Sequence, residues 1–187
     1  MMSSFMELVK SRRSIRRFQD KPVSDDVLNE LFETVRWSQS WANTQCWEIV
    51  NVKNPEKRQL LQDAIKKVSE RNPALKAVIA APVLLAICAK KGSSGYYDGK
   101  PSTKHGDWLM FDLGIATQTL CLSAHSLGLG TVVVGFYDHD SAAKILELPD
   151  EYAQVALIPM GYPDQSPKPT ERKTIEQFVY TDVFRKL

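Results

Sequence analysis

The sequence predicts one domain that mixes α-helices with β-strands. Three observations point there. Short apolar runs of strand length recur at residues 47–52, 83–89, 131–134 and 155–160. Stretches with helical apolar periodicity separate them. No internal repeat or low-complexity linker divides residues 1–187, so the chain reads as a single domain with one ordinary core.

Each element has a local reason. Ser4 and Glu7 make a capping box for a first helix, with Phe5, Leu8 and Val9 on one face. A second helix starts near Ser24. Asp25 and Asp26 suit its first turn, and Val27, Leu28, Leu31, Phe32 and Val35 form its apolar stripe. Residues 47–52 (WEIVNV) read as a strand. Asn54-Pro55 pairs a cap with a proline at the first helical position and opens a helix through about Val68. Residues 74–80 read as a shorter helix, stopped by Pro82.

The run 83–89 (VLLAICA) is apolar throughout, as in a central strand covered on both faces. Residues 90–106 are polar and hold Gly92, Gly95, Gly99, Pro101 and Gly106. They are expected to form a long mobile loop, a length often used for lids and binding loops. Residues 108–127 form a long helix that is apolar around most of its circumference, as in a central or subunit-interface helix. Gly128 stands at its C-cap. A β-branched strand at 131–134, a short helix at 141–146 and a last strand at 155–160 follow, with Pro159 expected at a strand end or edge. The tail from Gly161 holds Pro163, Pro167 and Pro169, too many for a regular element, and is expected to run over a surface, a partner's included.

Composition excludes several functions. Lys+Arg is 24 against Asp+Glu 22, a formal charge of +2, whereas a nucleic-acid binder carries a basic excess over the whole domain. No apolar stretch approaches the roughly 20 residues of a membrane helix, and MMSSFMELVK lacks the pattern of a signal peptide. Cys46, Cys88 and Cys121 are odd in number and widely spaced, which favours reduced, packed thiols in the cytoplasm.

Few motifs carry chemistry. In GLGLGTVVVG the glycines follow a helix and precede a strand, the reverse of a dinucleotide-binding fingerprint. A helix cap and a tight turn account for Gly128 and Gly130, while Gly135 permits close backbone approach to a ligand. His105, His125 and His139 share no helix-face spacing, so no metal site is expected, and Asp138-His139-Asp140 reads as an acidic turn capping the next helix. There is no GxSxG and no cysteine or serine with an evident base partner.

Two polar clusters remain. RRSIRRF, residues 12–18, has two readings: a basic helix end facing its own dipole, or arginine forks and a hydroxyl gripping a phosphate. SQSWANTQCWEIV, residues 38–50, is either a capped helix end before core aromatics or an amide-rich loop whose Asn43 and Gln45 meet a heterocycle beside Trp41 and Trp47.

In their order along the chain these motifs resemble the nitroreductase family of flavoproteins. The carriers are RRSxRxF at 12–18, then Ser40, Asn43, Gln45 and Trp47 of an S-x-x-N-x-Q-P-W segment. A long helix into GLG and a strand ending in Gly135-Phe136 comes next, followed by Leu148-Pro149, Gly161-Tyr162-Pro163 and a basic tail around Arg172. The resemblance implies a three-layer α+β sandwich (α/β/α) with a central mixed, mainly antiparallel sheet of four to five strands. It implies a homodimer with FMN at the interface and a C-terminal tail reaching across it.

On that resemblance Arg12, Arg13 and Ser14 would hold the FMN phosphate and ribityl chain near Arg172. Ser40 and Asn43 would join from the partner or the shared cleft, Gln45 would also contact the cofactor, and Val134 and Gly135 would offer N–H groups to the flavin. Arg16 and Arg17 lie beyond the helix end and are expected to make only surface or dimer contacts. The implied activity is transfer of electrons from NADH or NADPH to an electron-poor small molecule by ping-pong exchange. No side chain is assigned as an acid, base or nucleophile, because the flavin carries the chemistry. Trp41, Tyr96, Tyr97, Lys100, Lys104 and His105 are candidates for the substrate. Three positions depart from the family pattern: Cys46 replaces its usual proline, Trp41 a small residue, and Thr170 a lysine, for which Lys168 or Lys173 could substitute.

Overall fold

A computed structural model describes residues 4–184. In chain order the elements are α1 (Phe5–Ser11), α2 (Asp25–Arg36), β1 (Trp47–Asn51), α3 (Pro55–Val68), α4 (Leu75–Ala80), β2 (Val83–Lys90), β3 (Tyr96–Tyr97), β4 (Lys100–Pro101), α5 (Leu109–Ser126), β5 (Gly130–Thr131), α6 (His139–Ile145) and β6 (Tyr152–Gly161).

The caps read from the sequence are in place. Ser4 and Glu7 close the capping box of α1, Asn54 Oδ1 accepts from the Glu56 and Lys57 N–H groups, and Asp138 Oδ1 accepts from Ser141 N–H at the head of α6. Gly128 ends α5 with φ +76°. Its N–H reaches His125 O while Leu129 N–H reaches Ala124 O at 2.8 Å, the paired bonds of a Schellman turn.

The main sheet has four strands in the order β1-β2-β6-β5, every neighbour antiparallel. Its one parallel contact is a bridge from Ser14 to Thr131, which lays residues 12–18 beside β5. β2 is buried over its first seven residues, as its unbroken apolar run predicts. Its side chains alternate. Leu85, Ile87 and Ala89 join Ile158 and Met160 beneath α2 and α5. Leu84, Ala86 and Cys88 join Leu157 with α3, α4 and α6. The result is a three-layer α+β sandwich. Each fully buried leucine or isoleucine contributes about 1.5–3 kcal/mol.

Three expectations are corrected, and one element differs in its burial. The strand at 131–134 is only Gly130–Thr131 plus an isolated bridge from Val134 to Leu157. Val132 N–H donates to Pro159 O at 3.3 Å, but Pro159 has no N–H to return, so the ladder breaks there. Pro159 itself is neither at a strand end nor on an edge strand. It sits inside the ten-residue β6 and turns its missing donor toward β5. Residues 90–106 are not a featureless loop, because β3 and β4 pair within them as a small hairpin. Finally, α1 has its predicted face but buries no residue in one chain, with Phe5 72% exposed. Beyond β6, among the described residues, the tail has one helical turn, Ile175–Gln177, and residues 168–184 are exposed.

Candidate functional site

The arginine cluster leaves α1 in extended conformation, so successive side chains face opposite ways. Arg12, Ser14 and Arg16 line one cleft. Arg13 and Ile15 face a separate, smaller hollow with Ser11 and His125. What lets the segment approach β5 is Gly130: a Cβ there would meet Ile15 Cγ1 at 2.5 Å. Gly130 thus serves close packing, not the tight turn its sequence suggests. With the gap closed, Ile15 N–H donates to Thr131 O at 2.8 Å.

The cleft, about 340 Å³, lies in the size range of small-molecule sites. Met110, Gly114, Thr117, Gln118 and Cys121, one face of α5, form a wall, and Ile87, Leu113, Val132, Val155 and Ala156 supply apolar surface. A bulge helps to build it. Ile87 pairs with Ala156 but Cys88 pairs with Gln154, leaving Val155 as an extra residue, and both Val155 and Ala156 reach the cleft. No carboxylate or imidazole lines it. Neither Arg12 nor Arg16 has an ion-pair partner among the described residues, and Arg16 Nε is buried without any hydrogen-bond partner. An unpaired, desolvated donor beside uncompensated positive charge suits an anionic or acceptor-rich ligand.

The remaining expected contacts divide. Arg13 donates to the Lys10 and Arg12 carbonyls at 2.6 and 2.9 Å, the role of a basic helix end, and does not face the cleft. Arg16, set aside at the sequence level, does. Val134 N–H does not offer itself to a ligand: it donates to Leu157 O at 2.9 Å. The N–H groups of Val133 and Gly135 have no acceptor among the described residues, and Val133 lines the cleft. Arg172 is exposed and, among the described residues, bonds only to Thr170 and Glu171. Tyr96, Tyr97, Lys100, Lys104 and His105 all sit on the hairpin segment, away from the cleft lining.

Ser40, Trp41, Asn43 and Gln45 occupy a different place. Ser40 and Trp41 border a second cavity, of about 210 Å³, with Gln39, Trp108, Phe111 and Asp112. Ser40 Oγ accepts from Gln45 N–H at 2.9 Å and closes the loop on itself. Ala42, Asn43 and Gln45 all have positive φ (43°, 55° and 47°), which costs a non-glycine residue about 1–2 kcal/mol. Asp112 meets this loop from α5. It is 1% exposed and accepts from Trp41 N–H, Ser94 Oγ and Cys46 Sγ. Asp112 is the only Asp, Glu, Lys or Arg in α5, and a lone acid in an apolar helix is the signal that would have found it. Burial, and then this carboxylate, push the Cys46 thiol up to about 11.

A match to a family model described as the nitroreductase family covers residues 9–162. The chain belongs to the nitroreductase family. This nitroreductase-family chain is 30% identical over 179 residues to the FMN reductase (NAD(P)H) of Bacillus subtilis, covering 89% of itself and 69% of that protein. Its fold is similar to the NADPH:FMN oxidoreductase of Vibrio harveyi complexed with NAD+, with TM-score 0.79 and 25% identity over 97% of this chain and 78% of that one. Nitroreductase A of Vibrio parahaemolyticus is similar too, with TM-score 0.80 and 26% identity over 100% and 79% of the two chains.

Proposed function

We propose that the chain is a cytoplasmic FMN-dependent oxidoreductase that draws on NADH or NADPH and reduces an electron-poor small molecule. The observation that carries the reading is the cleft face of residues 12–16: Arg12, Ser14 and Arg16 turned to one side, with Arg16 Nε buried and unpaired. The cleft fits FMN chemically. Two guanidinium groups and a hydroxyl suit phosphate and carbonyl oxygens. The apolar patch of Ile87, Val132, Val155 and Ala156 suits a planar ring, and the Val133 and Gly135 N–H groups would meet acceptors at its edge. The chemistry that bound FMN supplies is uptake of hydride from the nicotinamide and its delivery to a nitroaromatic, a quinone or a similar acceptor, in ping-pong fashion. The side chains bind and orient, and the apolar surface excludes water. A cleft without carboxylate or imidazole agrees with chemistry carried by the cofactor.

The active form is a homodimer. Within one chain, Arg12, Ser14 and Arg16 line one cavity, while Ser40 and its loop border another. A second copy would bring that loop to the ligand. Exposed Phe5 and Met6 on α1, Met110 and Phe111 on α5, and Phe178 and Phe184 in the tail offer the apolar surface for it.

Purified protein is expected to be yellow and to bleach anaerobically with NADH or NADPH. Arg12→Ala and Arg16→Ala should lose flavin, while Arg17→Ala, whose side chain is exposed off the cleft, should retain it. A colourless protein that added FMN does not reconstitute overturns the reading.

A further inference from the structure

Asp112 is a buried carboxylate with no ion-pair partner among the described residues, and its donors come from two separate pieces of chain. Trp41 N–H reaches its two oxygens at 3.2 and 3.1 Å. The buried Ser94 hydroxyl, at the base of the hairpin, donates to Oδ2, and so does the Cys46 thiol at 3.8 Å. That thiol stands at a position where the family resemblance leads one to expect proline, which has no side-chain donor.

The same junction is fixed a second time by rings. Trp108 N–H donates to Ser94 O at 3.0 Å, and its indole N–H donates to Thr103 Oγ1 at 2.8 Å. A Cβ on Gly95 would meet the Trp108 ring at 2.6 Å, so the hairpin base lies directly on the indole. Trp108 in turn packs against Trp41, centroids 5.1 Å apart at 49°. Asp112 therefore joins the Ser40–Gln45 loop, with its three left-handed residues, to the hairpin that carries Tyr97, Lys100 and Lys104. The loop cannot shift without disturbing the hairpin.

We propose that Asp112 is a positioning residue. By holding Trp41 and Ser94 it fixes the Trp41–Trp108 pair and the shape of residues 40–45, so that loop and hairpin meet a ligand as one unit. Its consequence for flavin affinity rests on the FMN reading above; its hold on the two segments does not. The carboxylate acts through these segments and need not touch the ligand. An amide at this position keeps the shape but presents one acceptor oxygen in place of two, so at least one donor would face an NH2 group.

The test compares Asp112→Asn and Ser94→Ala with the parent as purified full-length chains. Three readouts apply: the exciton couplet of the paired indoles in circular dichroism, the rate of tryptic cleavage after Lys104, and the Kd for FMN. In Asp112→Asn the couplet should collapse and cleavage should quicken. Kd should rise about tenfold, the weight of roughly one hydrogen bond to a charged group. Ser94→Ala frees only the hairpin, so cleavage should quicken while folding is retained. A folded Asp112→Asn with the couplet intact and Kd within about twofold of the parent overturns the proposal. If Asp112→Asn does not fold, a parental cleavage rate in Ser94→Ala overturns it. Should the parent bind no FMN, the cofactor reading fails, and the couplet and cleavage rates still decide the role of Asp112.

Discussion

Gly130→Ala tests how the site is assembled. A Cβ at position 130 would stand 2.5 Å from Ile15 Cγ1, 2.7 Å from Ile15 Cβ and 3.0 Å from Ile15 Cγ2. These atoms lie at the root of a side chain that is 5% exposed, so no distal rotation relieves the contact. Relief has to come from the backbone, by moving residues 12–18 off β5. That shift lengthens the 2.8 Å bond from Ile15 N–H to Thr131 O and opens the Ser14–Thr131 bridge. Overpacking of this kind costs about 1–3 kcal/mol. One net backbone hydrogen bond adds about 1 kcal/mol, and loss of glycine's freedom in the unfolded chain returns about 0.5 kcal/mol. The balance, about 1.5–3.5 kcal/mol, corresponds to a fall in Tm of roughly 3–14 °C for a chain of this length. Thermal melts should use the flavin-free protein, because a bound ligand stabilises by mass action. In an Ile15→Ala background the added methyl should cost less, by about 1 kcal/mol, since the two positions touch. Gly135→Ala is the control, its Cβ meeting nothing within 4 Å. A Gly130→Ala melt within about 2 °C of the parent would refute the close-approach argument.

Arg58 donates to the carbonyls of Val52, Ala81 and Pro82 and so pins the turns before α3 and β2. Arg58→Met should lower stability by about 3 kcal/mol, seen as a lower urea midpoint at constant m, and Arg58→Lys should recover only part, because an ammonium cannot reproduce the planar fork. Burial raises the Cys46 and Cys88 thiols from about 9 to about 11 and about 12. A raised thiol stabilises the fold fully below its ordinary value and loses that contribution as pH climbs through the folded value. Tm should therefore fall between about pH 9 and pH 12, and Cys88→Ala should flatten part of that limb. The thiols should also resist alkylation at neutral pH until the chain is unfolded, which a thiol count with and without denaturant would reveal.

Helix existence was legible wherever a cap and a periodic face coincided, as at Ser4, Ser24 and Asn54. The buried strand β2 was legible from its unbroken apolar run. Strand length beyond the apolar core was not: β6 begins at Tyr152, where Ala153 and Gln154 break the pattern. Nor could propensity show that Pro159 would deprive Val132 of a return bond. In the site, residue types were readable and facing was not. Arg12, Ser14 and Arg16 border one cleft, whereas Arg13 turns with Ile15 to another hollow. Further along, Val134 N–H is taken by Leu157 O, and it is the neighbouring Val133 and Gly135 N–H groups that have no acceptor among the described residues. Both placements have one cause: in extended backbone a step of one residue moves a group to the opposite face. Asp112 was passed over because its helix was read for apolar periodicity, and its partners lie 18 to 71 residues away in sequence.

The alternation of residues 12–17 has a consequence for how this chain can change. The lining of the cleft depends on parity. Even positions 12, 14 and 16 serve the cleft, while position 15 fills a hydrophobic gap that only a glycine opposite leaves open. Substituting one arginine alters one contact. Inserting or deleting a single residue between Ser11 and Arg16 would do more, sending isoleucine into the cleft and arginine or serine into the gap. An insertion of two would restore the phase. The segment thus tolerates exchange of letters far better than a shift of frame, and lineages of this fold should vary its composition while holding its length.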